Sequence, residues 1–155
     1  MKNWPEAPPV IIDESDAEVA SPPRALELGY VGTSHKNCKG IIKSFANRAL
    51  LSQSGGVMSA EDLANLGPVA LSQDLAMVAL LGIDHVERNG HHYFAGMSMY
   101  PREVQEAVLA SHPDLYGRSD QGFPALKIER ECISMESINA APFGVGIDAE
   151  VLDLI

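Results

Sequence analysis

The chain has 155 residues, 46% of them hydrophobic and 21% charged, with a formal net charge of −10. That length carries one domain with a real core but not two comfortably. The acidic balance, with only 11 scattered Lys and Arg, excludes the clustered positive charge needed for sequence-independent binding to nucleic acid or an anionic membrane. No apolar run approaches the ~18 residues of a membrane span. The N-terminal stretch MKNWPEAPPVIIDESD turns acidic before any apolar segment is long enough for a signal peptide. The cytoplasm is the compartment these features imply. Cys38 and Cys132 have no zinc-type spacing and form no disulfide framework, so both are expected as free thiols.

Strand-like and helix-like segments then alternate. A short apolar run at 9–12 stops at Asp13-Glu14 and predicts the first strand. Pro22-Pro23 opens a short helix and Gly29 follows its end, the usual asymmetry of proline at the start and glycine at the finish. Residues 30–35 predict the second strand and 40–53 the second helix. In that helix Ile42, Phe45, Ala49 and Leu50 recur at helical spacing and predict its buried face. A third strand is expected at 57–60, stopping at Glu61-Asp62. Gly67-Pro68 opens a third helix with Leu71, Leu75, Val78 and Ala79 on one side. A fourth strand is expected at 83–87, and a fourth helix opens at Tyr100-Pro101 and ends near 111–113.

This alternation predicts α/β architecture with parallel strands and right-handed crossovers. Four strand-helix units at 1–113 fit either an open doubly wound sheet or half of an eight-unit barrel. The first strand lacks a phosphate-binding glycine fingerprint. Beyond residue 113 the pattern changes. Short extended pieces are expected at 123–129, 132–138 and 145–148, making 114–155 an irregular covering segment.

In such sheets reactive groups gather at the C-terminal ends of the strands. Here those ends carry Asp13-Glu14, His35-Lys36, Glu61-Asp62 and Glu87. Carboxylates there suit a hard cation such as Mg²⁺, and a lysine there moves a proton if its pKa is lowered. Taken singly, an acid after a strand caps the next helix, and a lysine is solvated. Their joint position at one rim is what points to a site. Lys39 reads as a surface residue at the start of a helix. In HVERNGHHYF, His85, Glu87, His91 and His92 match no zinc spacing, and adjacent histidines on extended backbone would point opposite ways. Cys38 lies between two lysines, but no histidine at a defined spacing makes it a nucleophile.

In order, these segments resemble the enolase superfamily, in the branch that includes mandelate racemase and muconate lactonizing enzyme. VIIDES resembles the fifth barrel strand and TSHKNCKGI the sixth, with 23 residues between Asp13 and Lys36. EDLANLGPVALSQDLA looks like the seventh strand end and its helix, and ISMESINAAPFGVGIDAE is similar to the closing segment. The resemblance implies about half of a (β/α)8 TIM-type barrel, an incomplete C-terminal portion of the parent fold.

It also implies roles for the matched positions. Asp13 would be a Mg²⁺ ligand and Glu14 an orienting partner. Lys36 would be the acid/base beside a small carboxylate substrate, with His35 as the alternative base. Glu61 or Asp62 would line the substrate mouth. The reaction class would be racemisation, epimerisation, dehydration or cycloisomerisation through proton abstraction next to a carboxylate, a mechanism general to this superfamily. One carboxylate does not hold Mg²⁺ usefully, so the resemblance implies completion by an N-terminal half chain. The alternative is a non-catalytic assembly module that pairs with a second copy or another chain.

Overall fold

The computed structural model describes residues 4, 6–61, 65–88 and 90–155, with the side chains of His91 and His92 outside it. It forms two compact units, one of residues 1–61 with 80–87 and the other of 62–79 with 88–155. Asp62, expected beside Glu61 at the substrate mouth, lies outside the described residues, as do 63 and 64.

The first unit is built on a parallel sheet. Strand β1 (Ile11–Ile12) pairs with β2 (Gly32–His35), and β2 pairs with β3 (Val57–Ala60). Ile12 lies opposite Thr33, and His35 opposite Ala60. The three strands run in sequence order and all in parallel, as the alternation predicts. Helix α1 (Ser21–Glu27) connects β1 to β2, and α2 (Ile41–Ser54) connects β2 to β3. Gly32 is required where β2 meets β3, because a Cβ there would lie 1.7 Å from the Val57 carbonyl oxygen.

The expected fourth strand is reduced to one parallel bridge. The Ala60 N–H donates to the His85 carbonyl at 3.1 Å, and the Glu87 N–H donates to the Ala60 carbonyl at 2.9 Å, pairing Ala60 with Val86. The segment IDHVE explains the short ladder. Only Ile83 and Val86 are β-formers, and Asp84, His85 and Glu87 are exposed.

Helix α2 corrects the sequence reading more sharply. Its buried residues are Ser44, Asn47 and Leu51, whereas Ile42 is 82% exposed and Phe45 41% exposed. The cause is the strand beneath it. β2 reads Gly-Thr-Ser-His and is buried at every position, so the helix covering it needs polar partners rather than an apolar stripe. Ser44 and Asn47 supply them, and the apolar residues are turned outward.

In the second unit α3 (Ala70–Leu80) buries Leu71, Leu75, Met77 and Val78, three of them on the predicted apolar side. The short helix α4 (Gly90–Tyr93) contains His91 and His92, so that pair lies on helical rather than extended backbone. Helix α5 (Arg102–Ser111) buries Val104 and Val108. Next comes an antiparallel pair, β4 (Tyr116–Arg118) with β5 (Pro124–Leu126). The first of these was not expected from the sequence. Helices α6 (Glu136–Ala140) and α7 (Ala149–Leu152) close the chain. The expected extended pieces at 132–138 and 145–148 are therefore not strands. Cys132 forms only an isolated bridge with Glu129, and α6 begins at Glu136. The core of this unit includes Met97, Leu115, Tyr116 and Ile138. Among the described residues no helix is long and apolar enough to cross a membrane. Cys38 and Cys132 are both exposed.

Candidate functional site

The C-terminal ends of β1, β2 and β3 bring Asp13, Lys36 and Glu61 to one rim. Strand alternation sets the sides of β2. Thr33 and His35 bond to groups on or beside α2, while Ser34 and Lys36 bond to Asp13.

Lys36 is the centre of the cluster, with 5% of its side chain exposed. Its Nζ lies 2.8 Å from Glu61 Oε2, 3.0 Å from Asp13 Oδ2 and 3.5 Å from Glu14 Oε1. Burial alone would lower its pKa. The hydrogen bonds and charges of Glu61 and Asp13 prevail and push it well above the ordinary lysine value. In this arrangement Lys36 is an ammonium, the reverse of the lowered pKa that a resting general base requires.

Asp13 is held on both oxygens. Lys39 Nζ donates to Oδ1 at 2.7 Å, the Ser34 hydroxyl also donates to Oδ1, and Lys36 donates to Oδ2. Burial would raise the carboxyl, but the bonds from Lys39, Ser34 and Lys36 hold it well below the usual carboxylate range. Glu14 is 86% exposed and reaches Lys36 only from the outside. Glu61, expected at the substrate mouth, is instead the nearest partner of Lys36.

His35 faces the other way. It is 3% exposed, with Nδ1 2.7 Å from Ser44 Oγ and Nε2 3.1 Å from Asn37 Oδ1. Burial lowers its pKa, the Asn37 bond opposes that, and the Lys39 charge adds to the lowering. Both ring nitrogens are engaged on the α2 side of the sheet, away from the carboxylates. The structure thus brings together Asp13, Lys36 and Glu61, leaves Glu14 at the edge, and turns His35 into the packing of the unit.

Lys39 corrects its reading as a plain surface residue. Its side chain is 13% exposed, and Nζ donates to four oxygens of Asp13 and Ser34. The cause is the 3-10 turn Asn37–Lys39 that follows β2. Residues three apart in such a turn lie on one side, so Lys36 and Lys39 converge on the same carboxylate. The spacing Lys-x-x-Lys directly after a strand was the available signal.

A second network lies beneath α2 and was also missed. Asp16 is 1% exposed. Its Oδ2 accepts from Thr33 Oγ1 at 2.8 Å and from Asn47 Nδ2 at 3.0 Å, and Lys43 Nζ pairs with Oδ1 at 2.7 Å. This is what makes a polar strand and a polar helix face compatible.

Around Asp13 the described residues do not fit a divalent cation. Among the described residues no group of three or more His, Cys, Asp or Glu side chains converges as a metal site. The one matched ligand, Asp13, already accepts from two ammonium groups.

Comparison with family models, with curated proteins and with solved structures gives no match for this chain.

Proposed function

We propose that the first unit is one wall of a proton-transfer site acting on a small carboxylate substrate, in an enolase-superfamily-like half-barrel completed by another chain. The observation that carries this reading is Lys36, a buried lysine at the C-terminal rim of three parallel strands, paired with carboxylates from both neighbouring strands. Lysine is almost never buried without a partner, and such a rim is where parallel strand-helix folds place their chemistry.

Lys36 at rest is an acid partner of Asp13 and Glu61, not a base. Entry of a substrate that separates it from these anions removes what raises its pKa. Burial then weighs more heavily against the charged form and lowers its pKa. As the ion pairs open, the Lys36 ammonium releases its extra proton to solvent; the resulting neutral amine takes the proton next to the substrate carboxylate, and the electron pair moves into that carboxylate. The enediolate so formed needs positive charge from groups outside this chain. A Mg²⁺ ion would need carboxylates from outside this chain to supply that charge, and no step here passes through it. Racemisation, epimerisation, dehydration and cycloisomerisation share this first step.

The test is solvent deuterium exchange into a panel of α-proton carboxylic acids. The chain alone should give none. Exchange should appear on adding an N-terminal half of an enolase-superfamily barrel, and Lys36→Ala should abolish it. Exchange that survives Lys36→Ala, or none with any such half, overturns the reading.

A second reading, from a different class, is a non-catalytic assembly module. It is favoured by Ile42 and Phe45, which α2 presents outward. It requires association with a second copy or another chain through that face, read as mass in sedimentation.

A further inference from the structure

We propose that the Lys39 ammonium is a built-in cation, filling an oxygen cage at the ends of β1 and β2 that would otherwise take a free monovalent cation such as potassium or ammonium. Its Nζ lies 2.7 Å from Asp13 Oδ1, 2.8 Å from Ser34 Oγ, 3.0 Å from the Asp13 carbonyl oxygen and 3.2 Å from the Ser34 carbonyl oxygen. One carboxylate, one hydroxyl and two main-chain carbonyls are the donors a hard cation selects. An ammonium has three protons for these four acceptors, so one proton is shared.

The cage is local and pre-formed. Two of its oxygens belong to the main chain where β1 and β2 end. The turn Asn37–Lys39 fixes the start of the lysine side chain, with the Lys39 N–H donating to the Lys36 carbonyl at 3.0 Å. Gly40, at φ 102°, then turns the chain into α2. A Lys39 pointing to solvent would leave the Asp13 carboxylate short of one counter-charge.

The positioning consequence concerns Asp13. With Oδ1 held by Lys39 and Ser34, Oδ2 is left to face Lys36 at 3.0 Å. Lys39 therefore sets which oxygen meets Lys36. While it is in place, its positive charge also repels any divalent cation from Asp13. This inference stands on the cage geometry and does not depend on the proton-transfer reading, since none of its readouts is activity.

The experiment has two arms on the full chain. The first uses the unaltered protein. At neutral pH the Lys39 ammonium should give a ¹H–¹⁵N cross-peak protected from solvent exchange, and millimolar Mn²⁺ should not selectively broaden the Asp13 and Ser34 amides. A Lys39 signal lost to exchange like that of a solvated lysine, or selective broadening at those amides, overturns the proposal. The second arm uses Lys39→Ala. Its thermal midpoint should fall, and potassium or ammonium chloride should restore at least half of the loss where choline chloride at equal ionic strength does not. Asp13→Asn in the same background should abolish that restoration. Equal responses to all three salts overturn the proposal. If Lys39→Ala does not fold in any of them, the first arm decides alone.

Discussion

The Lys36 ammonium sits 2.8 Å from Glu61 Oε2, joining the ends of β2 and β3 by an ion pair. Removing one partner of a buried pair costs about 3–5 kcal/mol, because the other charge is left uncompensated. Here Asp13 and Glu61 keep 24% and 26% of their side chains exposed, so water recovers part of that cost. Lys36→Met is expected to lower stability by about 2–3 kcal/mol in urea unfolding. Glu61→Gln is expected to cost about 1 kcal/mol, since Lys36 retains Asp13. A Lys36→Met protein as stable as the parent would show that the pair is not formed.

Asp16 should matter more than the residues of the candidate site. It is 1% exposed and is tied to Thr33, Lys43 and Asn47. Asp16→Ala strands the Lys43 ammonium and two buried polar groups, and an expected loss of about 3–5 kcal/mol follows. Glu14→Ala is the control. Its side chain is 86% exposed, and exposed pairs contribute about 0–1 kcal/mol. The two unfolding midpoints should differ widely, and equal midpoints would remove the network from any role in folding.

The order of the sheet was legible because proline, glycine and apolar runs mark element ends independently of what covers them. Pro22-Pro23, Gly29 and the run before Asp13 each fall within a residue or two of an observed boundary. The rim position of Asp13 and Lys36 followed from parallel pairing alone. What the sequence pattern hid was partner chemistry. Periodicity assumes that the buried face of a helix is its apolar face. α2 breaks that rule because Thr33 and His35 lie under it and need Ser44, Asn47 and Asp16. Lys39 was hidden for a related reason. A 3-10 turn of three residues has no periodic signature, yet it decides that the lysine points inward.

Acid should destabilise the protein in two steps. Burial pulls His35 and His112 below the ordinary histidine value. Unfolding returns them to about 6.5. Between that value and the lower folded ones the unfolded chain binds more protons, so stability falls as pH drops. Asp13 and Asp114 act further down. Burial would raise both, but hydrogen bonds to each hold them well below the carboxylate range. Their stabilisation is full above about pH 4 and is lost as pH falls further toward the folded values. Thermal midpoints should therefore step down below about pH 6.5 and again below about pH 4. His112→Gln should shrink the first step and leave the second. A midpoint constant from about pH 7 to about pH 5 would contradict the burial of both histidines.

The inverted face of α2 gives the sharpest contrast between pattern and structure. Sequence periodicity makes Ile42 a core residue, yet it is 82% exposed, while Leu51 is fully buried. Ile42→Ser is expected to change stability by less than about 0.5 kcal/mol. Leu51→Ala is expected to cost about 2–5 kcal/mol, because a cavity opens where the helix meets the sheet. Ser44→Ala removes the partner of His35 Nδ1 and should cost about 1–3 kcal/mol. Urea unfolding of the three variants ranks them, and a large loss at Ile42 would mean that the helix is rotated from the orientation described. A further variant, Ile42→Glu, separates the two functional readings. If the outward face pairs with a second copy, sedimentation of the parent chain shows mass rising with concentration, and Ile42→Glu abolishes the rise without lowering the unfolding midpoint of the monomer. If the half-barrel is instead completed by an N-terminal half chain along the strand edges, the parent remains monomeric, and Ile42→Glu leaves unchanged the deuterium exchange that the added half restores.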